Sequence, residues 1–340
     1  MDKDKLHVTY FQRKPRPGFN FSMEAIFEDV RYRISNHITP KVYICSDFND
    51  GWKSKISNIL EAYRRQGNGV NHITGEVHFL NLLMKKNRVV LTILDCGMMN
   101  RKSGFSRKII QWLYLKAPVA KAQLVTAISA QTKEQIVDFT GCNPNKIVVI
   151  PVAIATRFKP SPKDFNEDCP KILQIGTGAN KNLERLIEAL GGISCELQIV
   201  GKLSPKQLSL LEQYSINYTS LSNLSNDEIL KCYQDADIVS FVSTAEGFGM
   251  PILEAHAVER VVVTSNVSSM PEVAGEAACL VNPFEVESIK QGFLKVIADK
   301  EYRDQLIANG RVNKLRYDPQ YIAERYLEVY KSVVNKKQLD

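Results

Sequence analysis

The sequence predicts an α/β protein built from two doubly wound domains, and three observations support this class. The chain has 340 residues, which exceeds what one hydrophobic core usually accommodates. In its second half, strand-like apolar runs alternate with helical patterns, as in a parallel sheet covered on both faces. The first half repeats this alternation less regularly. We therefore expect domains at residues 1–152 and 153–318, and a last helix, at about residues 319–335, that packs back on the first domain.

The second half contains the clearer elements. Its predicted strands are KILQIG (171–176), ELQIVG (196–201), DIVSFVS (237–243) and RVVVTSN (260–266). Between them lie the helical patterns NLERLIEALGG, SPKQLSLLEQY and SNDEILKCYQDA, and the last begins with Ser225 and Glu228 in capping-box spacing. Beyond residue 284 the pattern is helical, with a break at Pro319.

The first half is less regular. Its predicted strands are LHVTYFQ, KVYICSDF and RVVLTILD, and its predicted helices are SMEAIFEDVRYRI, WKSKISNILEAYRRQ and RKIIQWLYL. Residues 151–170 contain four prolines and little periodicity, so they are interpreted as the linker between the domains.

Composition narrows the class of protein. Hydrophobic residues make up 44% and charged residues 24% of the chain, as in ordinary globular proteins. No apolar run reaches the roughly 18 to 20 residues of a membrane span, and the start MDKDK lacks the apolar region of a signal peptide. The seven cysteines and five histidines show no metal-binding or redox spacing. These features predict a cytoplasmic protein without a bound metal.

Charge is divided unevenly between the halves. Residues 1–150 hold 23 Lys and Arg against 12 Asp and Glu, a balance of +11, whereas the remainder holds 21 against 25, a balance of −4. The first half is therefore expected to meet something anionic. No nucleic-acid-binding motif is present, so a membrane surface or an acidic substrate is the expected partner rather than nucleic acid.

Four loops of the second half follow predicted strands and are rich in Gly, Ser and Lys. They are GTGANKN, GKLS, STAEGFG and NVSSMPEVAG. In open α/β sheets, ligands bind beyond the carboxyl ends of the strands. We therefore expect the four loops to converge on one crevice.

The third loop and the helix after it, STAEGFGMPILEAHA (243–257), carry two carboxylates. Pro251 suits the first turn of a helix, and the apolar residues around Glu254 predict a buried helix. A buried carboxylate needs a partner, which in the simplest case is another core side chain. Free amides at the helix start attract an anion, whereas Glu246 and Glu254 would repel a bare phosphate. A ligand that joins phosphate to a sugar and a ribose fits both features.

This arrangement resembles the E-x7-E signature of glycosyltransferase family 4, a retaining group with the two-domain GT-B fold, whose two Rossmann-like domains face a cleft. The similarity extends to QIGTGANKNLERLIEAL, which resembles the family's phosphate-binding loop, and to SSMPEVAGEAACLVNPFE, which resembles its closing loop. LVTAISAQTKEQIVDFTGCNPNKIVVIPVAI resembles the interdomain segment. RPGFNFSMEAIFEDV and NHITGEVHFL are similar to less specific patterns of the first domain.

The resemblance implies a role for each matching residue. Glu254 accepts hydrogen bonds from the ribose of a nucleotide diphospho-sugar, which is a donor substrate and not a permanently bound cofactor. Glu246 binds the sugar hydroxyls, and Lys181 neutralises the diphosphate. A solvated lysine at a helix start is the structural alternative for Lys181. The remaining implied contacts are Thr177 and Gly178 at the phosphates, the amides of Gly247, Phe248, Gly249 and Met250 at the sugar, and Gly18 at the β-phosphate and acceptor.

Two positions depart from the family pattern. Many members carry an arginine five or six positions before the lysine, where this chain has Ile-Gly-Thr-Gly, so Lys202 or Arg185 is expected to compensate. Members often carry His-Asp at the end of a first-domain strand, where this chain has Leu94 and Asp95. His72 and His78 remain in this half, and structural roles are expected for them.

The resemblance implies transfer of a sugar from the donor to an acceptor hydroxyl with retention of configuration, in the assembly of bacterial-type cell-surface polysaccharide or glycolipid. The leaving oxygen takes the acceptor's proton on the same face, so no enzymic nucleophile is needed. In an inverting enzyme, Asp95 would instead act as the general base. Two alternatives remain: a nucleotide-sugar epimerase of the same fold, and a non-catalytic scaffold that binds a nucleotide sugar.

Residues 101–116, RKSGFSRKIIQWLYLK, predict contact with an anionic membrane that bears a glycan or lipid-linked acceptor. The segment combines basic residues with Ile109, Ile110, Trp112, Leu113 and Tyr114. The protein would then be peripheral on the inner membrane face. The alternative is that Trp112 and its neighbours pack in the first domain's core.

Overall fold

The structure is a computed structural model that describes residues 5–15, 22–100 and 104–336. The chain divides into two compact units, one of residues 1–153 with 319–340 and the other of residues 154–318. Each unit contains a six-stranded parallel sheet, which confirms the predicted α/β class. In these three described ranges, no helix is long and apolar enough to cross a membrane.

In the described residues up to Ala153, the first unit has six strands and five α-helices. The strands are β1 (Leu6–Gln12), β2 (Ile38–Ile44), β3 (Val70–Thr74), β4 (Val89–Ile93), β5 (Leu124–Ala127) and β6 (Ile147–Val149). They pair in parallel in the order β2-β1-β3-β4-β5-β6. The helices are α1 (Ser22–Arg33), α2 (Trp52–Arg65), α3 (Gly104–Gln111), α4 (Ala117–Lys121) and α5 (Ala130–Thr140). A π-helix (Trp112–Lys116) joins α3 to α4, and 3₁₀ turns lie at His78–Leu83, Lys86–Arg88, Gly97–Asn100 and Pro144–Lys146.

The second unit has the same layered plan. Its strands are β7 (Lys171–Ile175), β8 (Glu196–Val200), β9 (Asn217–Leu221), β10 (Ile238–Phe241), β11 (Val261–Ser265) and β12 (Cys279–Val281). Its helices are α6 (Leu183–Leu190), α7 (Pro205–Gln213), α8 (Asn226–Asp235), α9 (Met250–Ala257), α10 (Met270–Ala274), α11 (Val286–Ala298) and α12 (Lys300–Asn313), with 3₁₀ turns at Ala179–Lys181 and Lys314–Tyr317. The last helix of the chain, α13 (Pro319–Lys336), belongs to the first unit, where it packs against α1.

The order of the strands fixes where a ligand can bind in the second unit. The sheet runs β12-β11-β10-β7-β8-β9, with every pair parallel. β7 and β10 are therefore neighbours although two strands separate them in the chain. The connections leave these two strands in opposite directions along the sheet, which makes their carboxyl ends the topological switch point of a doubly wound fold.

The sheet of the first unit has an apolar core on each face, as the two-residue periodicity of strands requires. Phe11 and its neighbours pack beneath α2 and the π-helix. Tyr10 lies on the other face, beneath α1 and α13. His72 is fully buried there, with Nδ1 2.8 Å from the Tyr330 hydroxyl and Nε2 2.7 Å from Thr92 Oγ1. Burial lowers the pKa of His72 to about 3, so this neutral histidine is a structural residue.

Several predicted elements differ from those observed. The second strand spans Ile38–Ile44 and ends before the predicted residue 48. The predicted helix at 107–115 is helical but passes from α-helix to π-helix at Trp112. The sequence pattern did not predict β3, β5, β6, β9 or β12. These strands are only three to five residues long. β9 also lies half-exposed at a sheet edge, where burial imposes no clear alternation of apolar and polar residues.

Candidate functional site

The loops after β7 and β10 are joined at the switch point of the second unit. The Thr244 N–H donates to the Asn180 carbonyl at 2.8 Å, and Asn180 Nδ2 donates to the Ala245 carbonyl at 3.2 Å. These bonds fix the start of the Gly-Phe-Gly loop against the loop that carries Lys181.

An ion pair lies where the two loops meet. Lys181 Nζ is 2.7 Å from Glu246 Oε1, and both side chains are mostly buried. Asn180 Nδ2 donates to the same carboxylate oxygen at 3.0 Å, and Lys181 Nζ lies 4.8 Å from the centre of the Phe241 ring. Lys181, expected at the diphosphate, and Glu246, expected at the sugar, are therefore in direct contact.

Glycine is required at position 176 for this lysine to lie as it does. Gly176 has φ +89°, a conformation that other residues rarely adopt. A Cβ there would lie 3.1 Å from Lys181 Cγ and 3.2 Å from Cε. The lysine stem thus crosses directly over the end of β7 before its ammonium reaches Glu246.

The loop after β8 supports the loop after β7 through main-chain groups. Thr177 Oγ1 donates to the Lys202 carbonyl at 2.8 Å, and Gln207 Nε2 donates to the Thr177 carbonyl at 2.9 Å. The Lys202 side chain is exposed. The main chain of Lys202 thus lies against the loop that carries Thr177 and Gly178, and its side chain is open to solvent.

The loop after β11 holds Glu246 in place. Ser268 Oγ donates to the Glu246 carbonyl at 2.8 Å and accepts from the Glu246 N–H at 3.2 Å. Ser269 Oγ lies 3.1 Å from the Glu246 carbonyl and 2.5 Å from the Phe248 carbonyl. Ser268 has φ +59°, which is uncommon for a residue with a side chain. The four strand-end loops therefore form one connected cluster.

The helix after the Gly-Phe-Gly loop is buried, as its sequence predicts. Gly249 precedes α9 with φ +131°, and Pro251 occupies the first turn. Ile252 and Leu253 are fully buried, and the Phe248 ring packs edge-on against Tyr317 at 5.8 Å. The first turn of such a helix leaves backbone N–H groups, including that of Met250, without intrahelical acceptors. Its start therefore favours an anion.

Glu254 has a core partner that the sequence did not reveal. The Tyr233 hydroxyl donates to Glu254 Oε2 at 2.5 Å. Burial raises the pKa of the Glu254 carboxyl above its ordinary value, against the opposing effects of this hydrogen bond and of the Arg157 charge. Within the described part of the chain, Glu254 Oε1 has no hydrogen-bond partner, and the residue keeps partial exposure. One carboxylate oxygen is thus used by the core and the other remains for a ligand.

The remaining predicted residues lie elsewhere. Gly18 lies outside the described residues. Asp95 belongs to the first unit, where it is exposed and Oδ1 accepts from the Gly97 N–H at 2.8 Å. Arg185 donates to Asn182 Oδ1 at 2.9 Å and lines a cavity of about 350 Å³ that also borders Gly178. His78 is buried with Nδ1 2.7 Å from the Tyr114 carbonyl, and burial lowers its pKa.

Three residues of the cluster were not predicted from the sequence to belong to the site. Asn180 lies in the predicted phosphate loop, but no pattern shows that its amide reaches Glu246. Tyr233 is one aromatic residue on an amphipathic helix and has the pattern of any core residue. Ser268 lies in the closing loop, where only its position three residues after β11 indicated a site. In residues 5–15, 22–100 and 104–336, no group of three His, Cys, Asp or Glu side chains could hold a metal ion.

Comparison with known proteins finds similarity to glycosyltransferases. Residues 156–313 match the family model "Glycosyl transferases group 1". The serotype-specific mannosyltransferase WbdA of Escherichia coli is 26% identical over 225 residues, which cover 59% of this chain. The chain spans only 28% of the length of that relative.

Solved structures share the fold over nearly the whole chain. A glycosyltransferase from Rickettsia africae ESF-5 has a TM-score of 0.77 at 16% identity, covering 97% of this chain and 99% of its own. Anabaena Alr3699/HepE, solved in complex with UDP and glucose, has a TM-score of 0.75 at 15% identity and covers 96% of this chain and 100% of its own. The fold class is thus that of the GT-B glycosyltransferases, with two Rossmann-like units.

Proposed function

We propose that this chain, whose residues 156–313 match the family model of glycosyl transferases group 1, transfers a sugar from a nucleotide diphospho-sugar to an acceptor hydroxyl with retention of configuration. The observation that carries the proposal is the Lys181–Glu246 pair at the switch point, with Glu254 in the helix that follows. A cation, a free helix start and two carboxylates lie together, and a ligand that joins a diphosphate to two hydroxyl-rich groups satisfies all of them.

The diphosphate is bound by cationic and amide groups. Lys181 supplies the charge, and the loop amides around Thr177 and Gly178 supply further donors. Lys202 and Arg185 are the candidates for the cation that family members place before the lysine. Lys202 is the stronger of the two, because its side chain is exposed beside Thr177, whereas Arg185 already bonds to Asn182.

The hydroxyl groups of the donor are bound by the carboxylates. Glu254 Oε1 accepts from the ribose while Oε2 stays with Tyr233. Glu246 accepts from the sugar, assisted by the backbone of Gly247, Phe248, Gly249 and Met250. Because Asn180 and Lys181 already bond to Glu246 Oε1, the carboxylate is oriented before a ligand arrives.

The reaction needs no enzymic nucleophile. The bond from the anomeric carbon to the phosphate oxygen breaks as positive charge develops on the sugar ring, and the diphosphate takes the electron pair. Lys181 stabilises that leaving group. The acceptor oxygen forms its bond to the anomeric carbon on the same face, and its proton passes to the leaving phosphate oxygen. Configuration is thereby retained.

The acceptor is proposed to be a glycan or lipid-linked glycan at an anionic membrane surface, as part of cell-surface polysaccharide or glycolipid assembly. The positive balance of residues 1–150 supports this, as does the similarity to WbdA, a serotype-specific mannosyltransferase.

A donor panel tests the proposal. The protein is incubated with UDP- and GDP-linked hexoses, including a mannosyl donor, with and without glycan acceptors, and both released nucleotide and the recovered donor are analysed. Acceptor-dependent nucleotide release is expected. An isomerised donor would identify an epimerase, and tight binding without turnover would identify a scaffold. Either result would overturn the proposal.

A further inference from the structure

Helix α2 of the first unit exposes a row of large apolar side chains. Trp52 is 61% exposed, Ile56 54%, Leu60 41% and Tyr63 48%. A helix that covers a sheet normally turns such residues inward. Here Asn58 and Ala62 are buried instead, so the apolar row faces solvent. We call these four residues the α2 stripe.

The stripe is continuous along the helix. Its members are spaced at i, i+4, i+8 and i+11, which places them within an arc of about 80° at 3.6 residues per turn. It runs for about 17 Å at 1.5 Å per residue. Aromatic rings with a polar group, Trp52 and Tyr63, stand at its two ends. Such rings favour a boundary between water and an apolar phase.

Neighbouring elements expose apolar side chains on the same side of the sheet. The core beneath α2 is shared with the 3₁₀ turn at His78–Leu83 and with the π-helix. Leu83 is exposed at the end of that turn, and Ile109 and Trp112 are exposed on α3 and the π-helix. Leu113 and Leu115 are buried in the same core, so only part of the predicted interfacial segment packs inward. Residues 101–103 of that segment lie outside the described residues.

The charge on these elements is almost entirely positive. Among α2, the two 3₁₀ turns at 78–88, α3 and the π-helix, Glu61 is the only acidic residue. Glu61 lies on the side of α2 away from the stripe. The exposed cations on these elements, together with Lys85 between the two turns, are Lys53, Arg64, Arg65, Lys85, Lys86, Arg107, Lys108 and Lys116.

We propose that the α2 stripe, with the cations around it, docks the first unit on an anionic lipid bilayer. A row of apolar side chains flanked by cations is what an interfacial helix presents to anionic lipid. A second copy of the chain fits less well. One helix face about 17 Å long and 10 Å wide offers far less than the roughly 800 Å² per partner of a stable protein interface.

This docking proposal rests on the proposed function only in one respect, the lipid-linked acceptor. It adds the surface through which the first unit would reach a membrane that carries such an acceptor. The docking surface lies in the first unit, and the Lys181–Glu246 pair lies in the second. Membrane binding and nucleotide release can therefore fail independently.

Vesicle sedimentation tests the docking surface. The full chain is mixed with vesicles of phosphatidylglycerol and phosphatidylcholine, and with vesicles of phosphatidylcholine alone. Binding is expected only to the anionic vesicles and should weaken with salt. The double variant Trp52→Ser/Ile56→Ser should bind about tenfold or more weakly, because two apolar contacts with the bilayer are lost. Lys53→Gln/Arg64→Gln should also weaken binding.

Matched variants on the opposite face of the same sheet serve as controls. Tyr32 of α1 is 78% exposed and Lys331 of α13 is exposed, so Tyr32→Ser and Lys331→Gln should leave vesicle binding unchanged. Nucleotide release with a water-soluble acceptor should be equal in all variants, which shows that they fold. Equal binding to neutral vesicles, or equal loss in the controls, would overturn the proposal. A dimer in sedimentation velocity that Trp52→Ser/Ile56→Ser dissociates would assign the stripe to self-association instead.

Discussion

Lys181 Nζ lies 2.7 Å from Glu246 Oε1, so the cation and the carboxylate of the switch point neutralise each other. Asn180 bonds to the same oxygen, and the Phe241 ring lies beneath the ammonium. A diphosphate that binds here competes with Glu246 for the lysine, and a sugar hydroxyl competes with the lysine for Glu246. The pair therefore couples recognition of the two halves of the proposed donor.

Lys181→Ala is expected to weaken nucleoside diphosphate binding by at least about 1.5 to 3 kcal/mol, the contribution of a charge-assisted hydrogen bond. The variant also leaves Glu246 unpaired beside the phosphate, which adds repulsion. Titration calorimetry with UDP or GDP measures the change. Lys202→Ala and Arg185→Ala are the matched variants. Unchanged affinity in Lys181→Ala, with a loss in either of the others, would transfer the phosphate role to that residue.

Glu246→Gln is expected to separate binding from turnover. The neutral amide releases Lys181, so the affinity for nucleoside diphosphate should stay the same or increase. The sugar loses a charge-assisted acceptor, so turnover should fall by about 10- to 100-fold. Glu254→Gln should show the reverse pattern, with weaker diphosphate binding through the ribose. Equal weakening of diphosphate binding by both variants in calorimetry would contradict these assignments.

In the ligand-free protein, the ionised Glu254 carboxylate is expected to lower the free energy of unfolding at neutral pH. Burial raises its pKa, so between the ordinary glutamate value and the raised value the folded state binds more protons than the unfolded state. Stability from this group is thus lost as the pH rises through that window. Glu254→Gln should raise Tm at pH 7 to 8 by about 2 to 4 °C, corresponding to roughly 1 kcal/mol. The gain should vanish near pH 4, and a constant gain at all pH values would show that the carboxylate charge is not its cause.

Ser268→Gly is expected to lower kcat by about 3- to 10-fold, because each lost hydrogen bond contributes roughly 0.5 to 1.5 kcal/mol. The hydroxyl bridges the N–H and carbonyl of Glu246, and glycine tolerates the φ of +59° at this position. KM for the donor should change less than kcat if Ser268 positions the Glu246 carboxylate. Ser220→Ala, which removes a bond to the Gly201 carbonyl, is the control. A loss of Tm with unchanged kcat would make Ser268 merely structural.

The elements that could be predicted from the sequence are those in which burial determines the order of apolar and polar residues. β7, β10 and β11 are mostly buried on both faces, and β8 alternates between buried apolar and half-buried residues. Each is followed by a loop with Gly, Ser or Lys, so the convergence of the loops followed from parallel topology. The contacts inside the cluster could not be predicted. The Tyr233–Glu254 bond joins residues 21 positions apart on two helices, and nothing in either local pattern specifies it.

The surface that we propose for membrane docking was located only in part from the sequence. The sequence located positive charge and an apolar segment at 101–116, but Leu113 and Leu115 are buried in the core, and Ile110 and Tyr114 pack against it. The more continuous exposed row lies on α2, whose pattern is equally compatible with an inward-facing stripe. Only the packing of Asn58 and Ala62 against the core shows which side of α2 faces solvent.

The product of the proposed reaction should retain the anomeric configuration of the donor, as read from its NMR couplings. The main rival is inversion with Asp95 as general base. Asp95 is exposed, and its Oδ1 accepts from the Gly97 N–H, a bond that Asn can keep. Asp95→Asn should therefore cost less than tenfold in turnover, whereas loss of a general base costs about 10² to 10⁴-fold. An inverted product, together with a loss of that size in Asp95→Asn, would assign the base to Asp95 and reject same-face transfer. A retained product with full sensitivity to Glu246→Gln would place the chemistry at the switch point of the second unit.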